Sequence, residues 1–260
     1  MLHLVNASSP ASSPASSPKD RFVTVFGRKP VLEALADVEL RVDKVILADN
    51  ARGAAAREIL DAASSRSVPV ERASAHRVKV LAGNGKQDQG VLADVVAPRM
   101  RRLSDALAAG SLSSVLLLDG VTTPANVGMI LRTATAAGIS GIVVPRRGVA
   151  SLDPLVVKAS AGVAFHAPVL RCYTAGEAAS ALRSAGFPLF ALDGAARTSL
   201  FTAELPARAA FVLGGETAGI SPEVRSSVTG SLSIPLTGGV ESLNVASAAA
   251  VLCFELVRRR

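Results

Sequence analysis

From residue 114 onward, short uninterrupted apolar runs alternate with stretches whose apolar residues recur every three or four positions. The runs at 115–118, 141–144, 189–192 and 210–213 have strand length and no polar alternation, the pattern of strands covered on both faces, and 232–235, broken only by Ser233, reads as a fifth strand. Helical spacing occupies 127–137, 154–161, 175–185, 222–227 and 243–259. Strict alternation of this kind predicts an α/β fold with a mainly parallel sheet sandwiched between helices, so residues 114–260 read as one catalytic-sized domain.

Residues 21–97 read as a smaller α/β unit. The pattern predicts a helix at 30–35 with Pro30 in its first turn, a strand at 42–48 and a helix at 54–63. A short strand near Val68, a helix at 75–81 and a strand at 90–96 complete it. The stretch 98–113 carries Arg99, Arg101 and Arg102 and then an Ala/Leu helical pattern, and it reads as a connector. Ahead of everything, ASSPASSPASSP at 7–18 is too poor in apolar residues to offset chain entropy, which makes residues 1–20 a disordered tail. The polar, Gly-rich stretch 82–90 contains Lys86, but Val80 stands where a P-loop needs its first Gly. A surface turn and an RNA-contact loop both remain open there.

Composition narrows the partners. Aromatics are only 3% of 260 residues and Trp is absent, so the core must be built from Ala, Val, Leu and Ile. With 28 Lys and Arg against 21 Asp and Glu the net charge is +7, which favours a polyanion through counterion release. Cys172 and Cys253 are the only cysteines and lack zinc-ligand spacing. They read as buried thiols of a reducing compartment, with neither a disulfide framework nor a metal site. No run approaches the roughly 20 apolar residues of a membrane span, and MLHLVN is too short for a signal sequence. The expectation is a cytoplasmic protein with no membrane or metal partner.

Three stretches of the second half carry candidate chemistry: LDGVTTPANVGMILRTATAAG (118–138), FVLGGETAGIS (211–221) and SIPLTGGVESLNVASAAAVLCFEL (233–256). Each runs from a strand through a polar or Gly-rich loop into a helix, so each delivers polar groups to a strand end, where α/β proteins bind ligands. In the first, Asn126 stands where capping residues stand, followed by Gly128 and Arg132 one turn apart. In the second, Gly214, Gly215 and Gly219 permit close backbone approach, and Glu216 is placed to orient Arg132 or to accept hydrogen bonds. In the third, Ile234, Pro235 and Leu236 end a strand, and Ser242 and Asn244 begin a long apolar helix whose small residues allow close packing. The G-x-G-x-x-G dinucleotide fingerprint is missing, which argues against a nicotinamide dehydrogenase.

Together these stretches resemble the three signature motifs of the SpoU (TrmH-like) branch of the SPOUT RNA methyltransferases. The resemblance extends through VFGRKPVLEAL (25–35) and DQGVLADV (88–95). It implies a ribosomal-protein-like RNA-binding domain ahead of a SPOUT domain with a trefoil knot, working as a homodimer on RNA, with large-subunit ribosomal RNA favoured. It implies S-adenosylmethionine held by Leu213, Gly214, Ile234, Leu236, Leu243 and Asn244, and a catalytic surround of Asn126, Arg132, Glu216, Ser242 and Asn244. Where the family commonly reads SLNVS, this chain has Ala246, with Ser247 one place later. The family proposal makes Arg132 the base for the 2′-hydroxyl, yet an ordinary guanidinium holds its proton far above neutrality, so stabilising an alkoxide or fixing a phosphate suits it better. Transfer RNA stays open as substrate, as does a non-catalytic RNA-binding or ribosome-assembly role on the same fold.

Overall fold

The computed structural model describes residues 20–83 and 88–260, so the Ser/Pro repeat and Lys86 lie outside the described residues. The first unit is a four-stranded sheet of β1 (Phe22–Phe26), β2 (Val42–Ala48), β3 (Val70–Ala73) and β4 (Val91–Val96), ordered β1-β4-β2-β3. β4 runs antiparallel to both its neighbours, while β2 and β3 are parallel. Helices α1 (Arg28–Ala36) and α2 (Gly53–Ser65) bring Val31, Leu35, Ile59 and Ala63 to one face, against Val23, Val25, Val45 and Val95. α3 (Ala75–Leu81) covers the other, where Val78 meets Ile46, Ala48 and Leu92.

Two expectations change here. β1 goes unread in the sequence because FVTVF turns small Val23 and Val25 inward and leaves its larger phenylalanines on the less buried side, which hides the usual alternation. The strand expected near Val68 begins at Val70, because Pro69 lacks an N–H and serves only through its carbonyl, which accepts from Val45.

The second sheet has seven strands: β5 (Arg101–Arg102), β6 (Ser114–Asp119), β7 (Gly141–Pro145), β8 (Val169–Cys172), β9 (Leu189–Leu192), β10 (Ala209–Gly214) and β11 (Gly230–Leu232). Their order is β11-β9-β10-β6-β7-β8-β5, and every pairing is parallel. Alternate residues of a strand serve opposite layers. Leu116, Leu118, Ile142, Val144, Phe211 and Leu213 join α5 (Pro124–Ala136), α6 (Pro154–Ala159) and α9 (Val245–Arg258). Val115, Leu117, Val143, Ala210 and Val212 join α4 (Leu103–Ala108), α7 (Ala175–Ser184) and α8 (Pro222–Arg225). Gly128 lets α5 sit directly on α6, since a Cβ there would lie 2.5 Å from that of Ala159.

The connector is less free than its composition suggests. Arg101 and Arg102 pair in parallel with Leu170 and Arg171 and form the sheet's edge. Met100 is buried, and Asp20 forms a buried ion pair with Arg146, just past β7. β8 is a strand the sequence reading lacks, because its two apolar residues give way at once to Arg171 and Cys172. The strand expected at 232–235 ends at Leu232, and Ile234, Pro235 and Leu236 lie beyond it. Of the thiols expected to be buried, Cys253 is, whereas Cys172 is partly exposed. No helix among the described residues is long and apolar enough to cross a membrane.

Candidate active site

Strand order reverses between β6 and β10, where the chain after β6 turns one way and β9 and β11 lie on the other side. In open parallel sheets such a switch point leaves a crevice at the carboxyl ends of the strands. The loop after β6 opens at Asp119 and Gly120 and reaches α5, whose N-cap is Thr123 with Pro124 in the first helical position. Asn126 is therefore not a cap, as its sequence position suggests, but the third residue inside the helix, so its amide is released for tertiary contact. It is buried.

The loop after β10 folds back tightly. Gly215 N–H donates to Gly219 O at 3.2 Å, and Gly219 N–H donates to Gly215 O at 2.9 Å. No side chain fits where the strand enters this turn: a Cβ on Gly214 would lie 2.6 Å from the Gly219 carbonyl carbon, and one on Gly215 would lie 2.2 Å from Gly120 O. Asp119 fixes the turn from below, its Oδ2 accepting from Ser221 N–H at 2.6 Å, and Ser221 itself caps α8.

The third loop ends at Asn244, the N-cap of α9, whose Oδ1 accepts from Ala246 and Ser247 N–H at 2.9 and 3.3 Å. Its Nδ2 donates to Glu216 Oε1 at 2.8 Å and to Asn126 Oδ1 at 3.0 Å. Asn126 Nδ2 also donates to Glu216 Oε1 at 3.0 Å. The three loops, far apart in sequence, thus close into one hydrogen-bonded triangle. Of the two roles open to Glu216, the geometry takes the second: it accepts from two amides and does not contact Arg132. Arg132 stands exposed on α5 with no hydrogen-bonding or ionic partner among the described residues. Ala246 is buried and Ser247 exposed, so the site has no hydroxyl at 246.

Beside the triangle lies a cavity of about 280 Å³. Leu213, Gly214, Ile234, Leu236 and Leu243 line it together with Glu216 and Ser242, while Asn126, Arg132 and Asn244 do not. Apolar walls, a glycine backbone floor and a few convergent polar groups fit a nucleoside-sized ligand, and the space a Cβ would fill at Gly214 is already taken by backbone. Asp193, Gly194 and Arg225 also line the cavity, with Arg225 Nη1 donating to Asp193 Oδ2 at 3.4 Å. The sequence reading passes over these three and over Asp119. For Asp119, Asp193 and Gly194 the signal is the repeated tripeptide Leu-Asp-Gly at 118–120 and 192–194, which ends two strands of the same sheet edge.

Comparison with known proteins gives the same picture. The family model described as SpoU rRNA Methylase family matches residues 113–254, and the one described as RNA 2'-O ribose methyltransferase substrate binding matches 24–101. A 23S rRNA (guanosine-2'-O-)-methyltransferase RlmB of Xylella fastidiosa is 32% identical over 240 residues, 91% of this chain and 96% of that one. Its counterpart from a Burkholderia species is 37% identical over 208 residues, 78% of this chain and 83% of that one. Among solved structures, the SpoU methyltransferase AviRb from Streptomyces viridochromogenes in complex with AdoMet is 27% identical with a TM-score of 0.60, covering 92% of this chain and 90% of that one. This chain, with its small substrate-binding domain and its switch-point triangle, belongs to the SpoU rRNA methylase family.

Proposed function

We propose that this protein transfers a methyl group from S-adenosylmethionine to a ribose 2′-hydroxyl of large-subunit ribosomal RNA. The observation that carries the reading is the Asn126–Glu216–Asn244 triangle beside a glycine-floored, nucleoside-sized cavity. Relatives bearing the RlmB name favour ribosomal over transfer RNA, and the filled site roles favour an enzyme over a non-catalytic RNA binder.

When bound, S-adenosylmethionine supplies an electrophilic methyl on a sulfonium sulfur. Leu213, Gly214, Ile234, Leu236, Leu243 and Asn244 would hold it, the first five as wall and floor of the cavity and Asn244 from beside it through Glu216. Asn126, Glu216 and Asn244 fix one another, so the carboxylate and amides meet the ribose without reorganising, and Ser242 adds a hydroxyl at the cavity wall. Arg132 brings an exposed cation to the incoming RNA, where it stabilises the oxygen while the hydroxyl proton passes to bulk water. Neither step calls for a metal.

Residues 21–97 serve as the RNA-binding domain and 114–260 as the catalytic domain, a division the two family matches support. The protein acts as a cytoplasmic homodimer with the family's trefoil knot. Met129, Phe254 and Val257, exposed on the packed helices α5 and α9, offer apolar surface for the dimer contact.

Arg132→Ala and Asn126→Ala should abolish methyl transfer, while S-adenosylmethionine affinity by calorimetry stays within about threefold of wild type for Arg132→Ala, whose side chain lies outside the cavity lining and has no hydrogen-bonding or ionic partner among the described residues. Wild-type turnover in Arg132→Ala removes the catalytic assignment. Mapping 2′-O-methylation in 23S rRNA from cells with and without the protein identifies the nucleotide, and unchanged methylation there overturns the substrate.

A further inference from the structure

The pairing registers align Gly214 with Asp119 and Pro145 with Cys172. The β6–β7 pairing of Leu117 with Val143, carried two residues on, brings these into one row across the sheet. Tyr173 therefore sits one residue beyond Cys172, at the level of Gly215 on the same edge as the cavity. Three strand spacings separate β10 from β8, about 14 Å at about 4.8 Å each. A few nucleotides span that distance.

Tyr173 is the only tyrosine of the chain, and it is 54% exposed. Its position is fixed on both sides. Arg146 and Arg147 N–H donate to Cys172 and Tyr173 O, each at 3.0 Å, which prolongs the β7–β8 pairing past the strand ends. The next residue, Thr174, forms a reciprocal capping box with Glu177 at the start of α7. The Arg147 guanidinium lies over the phenol ring at 5.6 Å, with Nη1 3.5 Å from the hydroxyl. Unlike Arg146, which is paired with Asp20, Arg147 meets no carboxylate among the described residues. The Asp20–Arg146 pair also puts the beginning of the small domain beside this spot.

We infer that Tyr173 and Arg147 form a stacking platform for an unpaired RNA base near the methylated nucleotide, with Arg147 neutralising its phosphate. A rigid exposed ring joined to an unspent cation is what single-stranded RNA recognition uses, because every base has a π-face and every link a negative charge. The platform lies on the same sheet edge as the cavity, one strand beyond the Asp20–Arg146 contact, within reach of RNA that engages both domains. This inference rests on the RNA methyltransferase reading and adds a positioning surface to it.

With no tryptophan present, intrinsic tyrosine emission reports on Tyr173 alone. Full-length protein is titrated with deproteinised 23S rRNA from cells lacking the protein, following emission, RNA affinity and methyl transfer. Emission should be quenched at saturation. Tyr173→Ala should weaken RNA binding roughly five- to hundredfold, the loss of one stacked base, and raise KM for RNA with kcat and S-adenosylmethionine affinity unchanged. Tyr173→Phe should bind within about twofold of wild type because its ring still stacks. Arg147→Ala should weaken binding and flatten its salt dependence. Unchanged emission at saturating RNA while wild-type methyl transfer proceeds overturns the platform, as does wild-type affinity in Tyr173→Ala. Absence of methyl transfer and of S-adenosylmethionine binding in the wild type sinks the underlying function instead.

Discussion

At Asn244 one side chain closes a helix and also joins the site, and two replacements separate these roles. Its Oδ1 caps α9 through Ala246 and Ser247, while its Nδ2 serves Glu216 and Asn126. Losing an Asn cap to Ala costs about 1 kcal/mol, within a range of roughly 0.5–2, and Ser caps nearly as well as Asn. The hydrogen bonds to Glu216 and Asn126 add about 1 kcal/mol net, kept low because Asn244 is exposed to solvent. Asn244→Ala should then lose about 2 kcal/mol and Asn244→Ser about 1 kcal/mol. For a chain of this size those losses correspond to Tm decreases of about 4–8 °C and about 2–4 °C. Turnover should not follow stability. A serine hydroxyl is too short to reach Glu216 from the cap position, so both variants should lose on the order of a hundredfold in methyl transfer. Thermal denaturation and a labelled-methyl assay on the same preparations decide it. Full turnover in Asn244→Ser refutes the role given to the triangle, and equal Tm values for the two variants refute the role given to the cap.

Three further outcomes follow from the same geometry. Gly215→Ala forces a Cβ into Gly120 O and should cost about 1–3 kcal/mol of stability and lower S-adenosylmethionine affinity at least about tenfold by calorimetry; Gly214→Ala should act alike through the Gly219 carbonyl. Hydrogen bonds from Arg258 and then Arg259 hold the Glu255 carboxyl down at about 2, so its contribution is intact above the ordinary value of 4.5 and disappears as pH falls towards 2. Glu255→Gln should accordingly lower Tm at pH 7 and lose less than wild type between pH 4.5 and 2, which thermal melts across that range would show. Burial pushes the Cys253 thiol up to about 12, so it should not react with a thiol reagent at pH 8 until denaturant is added.

The sequence pattern exposes the larger domain well because a parallel sheet covered on both faces needs uninterrupted apolar strands, and those at 115–118, 189–192 and 210–213 lie within observed elements. β5 and β8 escape because an edge pair needs little apolar surface of its own: Arg101, Arg102 and Arg171 belong to it. Within the site, the loops are legible from their Gly, Asn and Ser content, but the partner of each side chain is not. Asn126 looks like a cap because Thr123 and Pro124 offer a competing start three residues earlier, and only the tertiary triangle explains why an amide is buried at the third helical position. Arg225 reaches the cavity from a segment outside every motif, so no local pattern announces it.

The edge strand formed by Arg101 and Arg102 makes the chain's two halves a ruler rather than a swivel. Between β4 and β5 only Pro98 and Arg99 face solvent, since Ala97 and Met100 are anchored in the interior. Under the proposed function, RNA gripped by the small domain is thereby offered to the cavity at one set spacing, so the fold itself would count nucleotides from a recognised feature to the modified sugar.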